Sequence, residues 1–193
     1  MKFEYKKGAT PLDPDEIHNL RLKHISTQKD LDELEAANII QGQLWAFSQK
    51  RKTIMTLPFL LKLHKNMFGE VWSWAGKYRR SQTNIGVEPF RIPSETGQLL
   101  EEVVFQLHSN TYTMDEIATR FHHKLVWIHP FTNGNGRHAR LMTDLLLYTH
   151  GHSLFTWGRH NLNEQGSIRQ EYINALKAAD KNNFDPLMNF VRS

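Results

Sequence analysis

The sequence predicts an all-α bundle carrying one small β-hairpin. Three observations predict it. About seven stretches repeat apolar residues three and four apart, the period of a helix with one buried face. Capping residues stand before several of them: Thr56 ahead of Leu57-Pro58, Thr113 with Glu116 three residues on, and Asp185 ahead of Pro186. Residues 77–93 change character. There Asn84, Gly86, Pro89 and Pro93 punctuate short alternating apolar positions, and the stretch reads as a hairpin.

In chain order, residues 1–26 read as an extended N-terminal arm. Gly8-Ala9-Thr10-Pro11-Leu12-Asp13-Pro14-Asp15-Glu16 holds turn residues and two prolines but no sustained period. Residues 27–193 read as one domain, a size that supports a sizeable core. Thr27 or Asp30 caps a first helix to about Gln49. Its stripe is Leu31, Leu34, Asn38, Gln41, Trp45 and Ser48, widened by Leu44 and Phe47. Glu35 lies at its edge. The second helix buries Phe59, Leu60, Leu63, Met67 and Phe68, with His64 beside them as a core histidine. Trp72, Trp74 and Tyr78 form an aromatic patch. A two-stranded hairpin is not stable alone. Residues 77–93 are therefore either a connector lying on the helices or a free edge that pairs with an extended peptide. Further helices follow at about 94–109 and 114–128. Leu141 to Tyr148 is apolar nearly all round and predicts the central buried helix, ending at Gly151. Asp144 stands one turn from Arg140 and can pair with it. A helix at about 163–179 and a short one from Asp185-Pro186 close the chain.

The chain has 193 residues, a formal charge of +4 and no cysteine. Disulfides and thiolate metal sites are excluded. The basic residues are scattered, so direct nucleic-acid binding is not indicated. No secretory signal or membrane-length apolar run is present, and the expected location is the cytoplasm. The eleven histidines offer no pair with ligand spacing on one face, so a metalloenzyme is not indicated.

The chemistry concentrates in His129-Pro130-Phe131-Thr132-Asn133-Gly134-Asn135-Gly136-Arg137-His138-Ala139-Arg140. Pro130 pushes His129 out of the helical region, so the upstream helix stops at about Ile128. Gly134 and Gly136 allow positive φ or close approach to a ligand. A helix starting near Gly136 directs its free N–H groups and positive dipole end at the loop, where anions bind. Arg137 and Arg140 share a face, and each can fork onto phosphate. His129 can take a proton from a hydroxyl near neutral pH. Asn135 can donate to an α-phosphate oxygen. This is not a Walker loop, since no Gly-Lys-Ser/Thr follows. The arrangement suits attack by a hydroxyl on a nucleotide phosphate with loss of pyrophosphate. On residue types alone a plainer account also stands: a Gly-Asn-Gly turn, and arginines paired with acids.

That twelve-residue stretch resembles the Fic (Fido) family motif, His-Pro-Phe-x-Asp/Glu-Gly-Asn-Gly-Arg-x-x-Arg. The Leu63-His64 helix, the Ile85-Gly86 stretch and the Tyr172 to Phe190 region are also similar to Fic proteins. The Gly8 to Glu16 segment with Asn133 resembles the subgroup called mobile mystery protein B, found with bacterial mobile elements beside a helix-turn-helix partner. The resemblance implies an all-α fold and transfer of AMP from ATP to a Ser, Thr or Tyr hydroxyl of a target protein. It implies His129 as general base and Phe131 as anchor of the loop. Gly134, Asn135 and Gly136 would form the anion hole, and Arg137 and Arg140 would hold the outer phosphates. The flap, Ser81, Gln82, Thr83, Asn84, Ile85, Gly86 and Val87, would hold the target as an added strand. The family's Asp/Glu binds Mg²⁺ through the phosphates, and Asn133 stands in its place. An amide can ligate a hard cation but brings no charge. Three outcomes follow: AMP transfer with weaker metal use, a different phosphate-linked donor, or a non-catalytic nucleotide-binding module of a mobile element. Many Fic proteins carry an inhibitory Ser/Thr-x-x-x-Glu-Gly/Asn helix. Ser167 to Glu171 has that spacing but Tyr172 follows, and Glu35-Ala36 has Leu31 at the Ser/Thr position. A separate inhibitor chain is the alternative source of restraint.

Overall fold

The computed structural model describes residues 18–21, 28–49, 54–109, 111–158 and 165–193. Seven helices appear among them: α1 (Gln28–Phe47), α2 (Leu57–Phe68), α3 (Ile92–Ser109), α4 (Met114–Ile128), α5 (Asn135–Thr149), α6 (Gln165–Ala179) and α7 (Asp185–Arg192). None is long and apolar enough to cross a membrane. Most of the expected arm, including Gly8 to Glu16, lies outside the described residues. Residues 18–21 of it are described: Leu20 bridges Trp72, and Arg21 N donates to Val71 O at 2.9 Å.

α5 is the central helix, as its apolar run predicts. Leu141, Met142, Leu145, Leu146 and Leu147 are all buried. Such burial stabilises by on the order of 10 kcal/mol for five side chains, an upper figure because unfolded chains are partly compact. That platform is rigid enough to hold an unfavourable backbone at its entrance. α4 and α5 pack against each other, and the turn between them carries the site.

α1 packs on α2 along the predicted stripe in its first half, where Leu31 and Asn38 are buried, and drifts off it in its second half. Leu44, Gln41 and Ser48 are exposed, while Gly42 and Ala46 are buried. The reason is close approach: a Cβ on Gly42 would lie 2.9 Å from Met67 backbone atoms. Small residues mark this contact, and an apolar stripe drawn through large side chains misses it. Asn38 ties the pair together. Its Nδ2 donates to Asn66 O at 2.8 Å, and its Oδ1 accepts from Glu70 N at 3.0 Å.

Thr27 lies outside the described residues and Asp30 sits within the first turn of α1; of the other three expected caps, two form and one does not. Thr56 Oγ1 accepts from Phe59 N, and Thr113 Oγ1 accepts from Glu116 N. The Glu116 carboxylate pairs with Arg120 at 2.9 Å. Asp185 sits inside the first turn of α7, with Phe184 at the cap position and no side-chain cap bond.

The hairpin expected over residues 77–93 is not a strand pair. No strand occurs among the described residues, and a short 3-10 turn at Pro89–Arg91 leads into α3. Two limbs of this loop turn inward instead of bonding to each other. Arg79 N donates to Pro130 O at 3.0 Å, and Val87 N donates to Ile128 O at 3.3 Å. Backbone donors committed to the α4–α5 turn cannot also form a ladder. Alternating apolar positions report burial against a neighbour, and here the neighbour is a helix end.

Candidate active site

α4 stops at Ile128, where Pro130 predicts it, but His129 does not become extended. It takes the left-handed conformation, φ 53° and ψ 60°. For a non-glycine residue this costs on the order of 1–3 kcal/mol and persists only where surrounding packing fixes it. Gly86 is part of that packing. A Cβ there would fall 2.6 Å from His129 Cβ, and Gly86 itself has φ 102°. The loop 78–88 therefore lies directly against His129. Within the ring, Nδ1 is buried without a partner. Among the described residues Nε2 has no hydrogen-bond partner, and it is not one of the buried unpartnered atoms. Burial holds the imidazole pKa down at about 4, and the Arg79 guanidinium adds to this. The Val126 carbonyl acts the other way, though it falls outside ordinary hydrogen-bond geometry to Nδ1. His129 is thus neutral at pH 7 and able to accept a proton.

The loop after His129 is held from beneath by aromatic rings. Phe131 is fully buried, with its ring stacked 3.6 Å from that of His64 and edge-on to His138. Sequence reasoning gives His64 a core place; the structure puts it under the loop. Gly76 N–H donates to His64 Nδ1 at 2.9 Å, so Nδ1 must be the unprotonated nitrogen. Nε2 then carries the proton and donates to Asn133 O at 3.0 Å. Both partners require the neutral ring. Burial, and then His138 nearby, hold the His64 pKa well below 6.5.

This arrangement sets a sign for acid stability. A histidine whose folded pKa is lowered binds fewer protons in the folded chain than in the unfolded one. Its contribution is present in full above about pH 6.5 and is lost as pH falls. Each such group tilts stability by up to about 1.4 kcal/mol per pH unit. His122 (to about 3) and His138 (to about 4) act in the same direction. Urea unfolding between about pH 7 and pH 5 is expected to show stability falling with acid, with a shallower fall in His64→Gln. A flat profile, or an unchanged slope in the variant, contradicts the neutral-ring account.

The turn into α5 is closed by its own side chains. Asn133 Oδ1 accepts from Gly134 N at 2.7 Å. Gly134 has φ 75°, and a Cβ there would meet the Phe68 ring at 2.5 Å. Asn135 shapes the loop with its side chain. Its Oδ1 accepts from Phe131 N at 2.9 Å, and its Nδ2 donates to Phe131 O at 2.8 Å. One N–H of that amide stays available to an anion. Backbone donors join it: α5 begins without a side-chain cap, and among the described residues the N–H groups of Asn135, Gly136 and Arg137 have no backbone acceptor. The space over Gly136 is open, since a Cβ there would meet only Arg140 Nη1, at 3.8 Å.

The two arginines differ. Arg137 Nη1 pairs with Glu35 Oε2 at 2.7 Å, and its guanidinium lies 4.8 Å from the Phe68 ring centre. Glu35 is fixed in turn by Trp72 Nε1, at 2.5 Å from Oε1. Arg140 has no ion pair among the described residues. The Tyr172 hydroxyl lies beside it and bonds His122 Nε2 at 2.8 Å. The expected pairing with Asp144 does not form, because that carboxylate accepts from Trp157 Nε1 at 3.0 Å. Glu35 is the functional neighbour that local pattern underrates, since it meets Arg137 only through the fold, 102 residues away.

A metal-bearing set is not evident. Among the described residues no group of three His, Cys, Asp or Glu could hold a cation. Asn133 offers one neutral oxygen, already accepting from Gly134 N. These donors do not fit a protein-held Mg²⁺.

The Fic/DOC family model matches residues 54–147. The protein adenylyltransferase Fic of Drosophila virilis is 30% identical over 145 residues, 73% of this chain and 28% of that protein. The Drosophila melanogaster protein of the same name matches equally. The chain spans 28% of the length of these curated relatives. Among solved structures, the BepC protein of Bartonella tribocorum with bound AMPPNP has a TM-score of 0.70 at 18% identity, covering 97% of this chain and 93% of that one. Fic-1 from C. elegans has a TM-score of 0.67 at 22% identity, covering 89% of this chain and 50% of that one. At these identities the likeness is one of fold.

Proposed function

Since the chain belongs to the Fic/DOC family, we propose that it is a protein adenylyltransferase, moving AMP from ATP to a Ser, Thr or Tyr hydroxyl. The observation that carries this reading is the pairing at the two ends of one loop. At one end stands the open Nε2 of a neutral His129. At the other stand the unpaired N–H groups of α5 and Arg140, a cation without an ion pair. The relatives named adenylyltransferases support the same class.

In this reading His129 Nε2 takes the proton of the acceptor hydroxyl. The hydroxyl oxygen bonds to the α-phosphorus, the bond from that phosphorus to the bridging β-oxygen breaks, and pyrophosphate leaves. The α5 N–H groups and Arg140 face the negative charge that develops. Loop 81–87, resting on His129, holds the acceptor segment. Phosphate close to the imidazole raises its pKa from about 4, which brings the base closer to the range where proton transfer is effective.

A second reading, a nucleotide-binding module with little turnover, is favoured by the two restraints on the site. Asn133 lacks the charge of a carboxylate, and Glu35 occupies Arg137. Incubation of cell lysate with labelled ATP separates the readings. Transfer by the wild-type chain supports the enzyme; binding without transfer to any protein supports the module. Asn133→Asp is expected to make calorimetric ATP binding more dependent on Mg²⁺, as an added carboxylate supplies charge to a hard cation. Binding that ignores Mg²⁺ in both forms excludes position 133 from metal use.

A further inference from the structure

Arg79 is 3% exposed and forms no ion pair among the described residues. Its guanidinium is surrounded by carbonyls. Nε donates to His129 O at 2.7 Å, Nη1 to Ser81 O at 2.9 Å, and Nη2 to Val87 O, with Ile128 O at 3.5 Å. A buried cation persists only where its donors are satisfied. Here the acceptors come from two separate places. Ser81 and Val87 belong to the two limbs of the loop, while Ile128 and His129 end α4. The fork therefore occupies the position where cross-strand hydrogen bonds of a hairpin would lie.

We propose that Arg79 is the positioning residue for His129 and for loop 81–87, its guanidinium replacing a strand ladder so that the acceptor loop and the proton-accepting ring move as one body. The inference rests on the reading of His129 as base and of the loop as acceptor holder. The geometry is specific to arginine. A planar fork reaches carbonyls on both limbs and on the α4 end together, whereas a lysine ammonium is a point with a shorter reach. The same guanidinium is the charged group acting on the His129 ring, and Gly86 lies against both, its Cβ position 2.7 Å from Arg79 Nη2. One side chain thus ties the loop to the turn and adds to what burial does to the charge state of the base.

Two variants of the full chain test this, Arg79→Gln and Arg79→Lys. Amide hydrogen exchange reads the Val87 N–H, which bonds Ile128 O, against the amides of Leu145 and Leu146 in α5. NMR titration reads the His129 ring. In Arg79→Gln, Val87 is expected to exchange roughly tenfold faster or more, as follows from losing a charged hydrogen bond. The α5 amides stay protected, and His129 titrates at higher pH than in the wild type. In Arg79→Lys, Val87 exchange is again faster, but the charge remains and the His129 titration moves less. Should Arg79→Gln lose α5 protection, the lysine variant decides. Val87 exchange no faster than that of α5, or a His129 titration identical in wild type and Arg79→Gln, overturns the proposal. These readouts need no turnover. Absence of nucleotide transfer by the wild type would remove the adenylyltransferase reading while exchange and titration still judge Arg79.

Discussion

Replacing His129 by alanine is expected to lower transfer of nucleotide to protein by about 10²–10⁴-fold, the loss of a general base, while ATP binding stays close to wild type. The split follows from where the residue sits. Phosphate would be held by α5 N–H groups and by Arg140, on the far side of the turn from His129. The alanine also relieves little strain, because φ 53° stays unfavourable for any residue with a Cβ. Calorimetry with ATP beside a label-transfer assay checks both halves. Equal loss of binding and transfer would make His129 a binding residue. Transfer unchanged in the variant would remove it from the chemistry altogether.

Arg140→Ala is expected to weaken ATP binding by about 10–100-fold, the range for a lost hydrogen bond to a charged group in a partly buried site. Arg137→Ala is expected to cost less. Arg137 is already bonded to Glu35, so a phosphate must compete with a carboxylate for the same guanidinium. Glu35→Gln should therefore strengthen ATP binding, and should do so only while Arg137 is present. A double-mutant cycle of Glu35→Gln and Arg137→Ala, read by calorimetry, reports that coupling directly. Additive effects would show that the ion pair does not restrain the site. The side chain of Arg137 is about one-third exposed, so the restraint is a modest one.

Much of the site was legible because its signals are local. A proline after His129 ends α4, Gly134 turns the chain into α5, and two arginines three apart share a helix face. α5 and α4 were legible because their burial follows the helical period. The rest depends on contacts that no local pattern records. Gly42 and Ala46 on α1 are buried because α2 approaches closely, and small side chains leave no apolar signal. Alternation over residues 77–93 predicts strands, yet the limbs bond to a helix end and to Arg79. An arginine in Tyr78-Arg79-Arg80-Ser81 gives no sign of four carbonyl partners. Asn135 has the right type for a phosphate donor, but its two amide bonds to Phe131 appear only when the loop is folded. Glu35 reaches Arg137 through the packing of α1 across the entrance of α5, which residue spacing along either helix does not specify.

The most direct test of the central claim is a comparison of ATP labelled on the α-phosphate with ATP labelled on the γ-phosphate. Each is incubated with the wild-type chain and cell lysate, with His129→Ala alongside. Relative to lysate without the chain, the account predicts added protein label from the α-phosphate, no added label from the γ-phosphate, and loss of the added α-label with His129→Ala. γ-label added by the wild-type chain, or added α-label that survives in the variant, would contradict it.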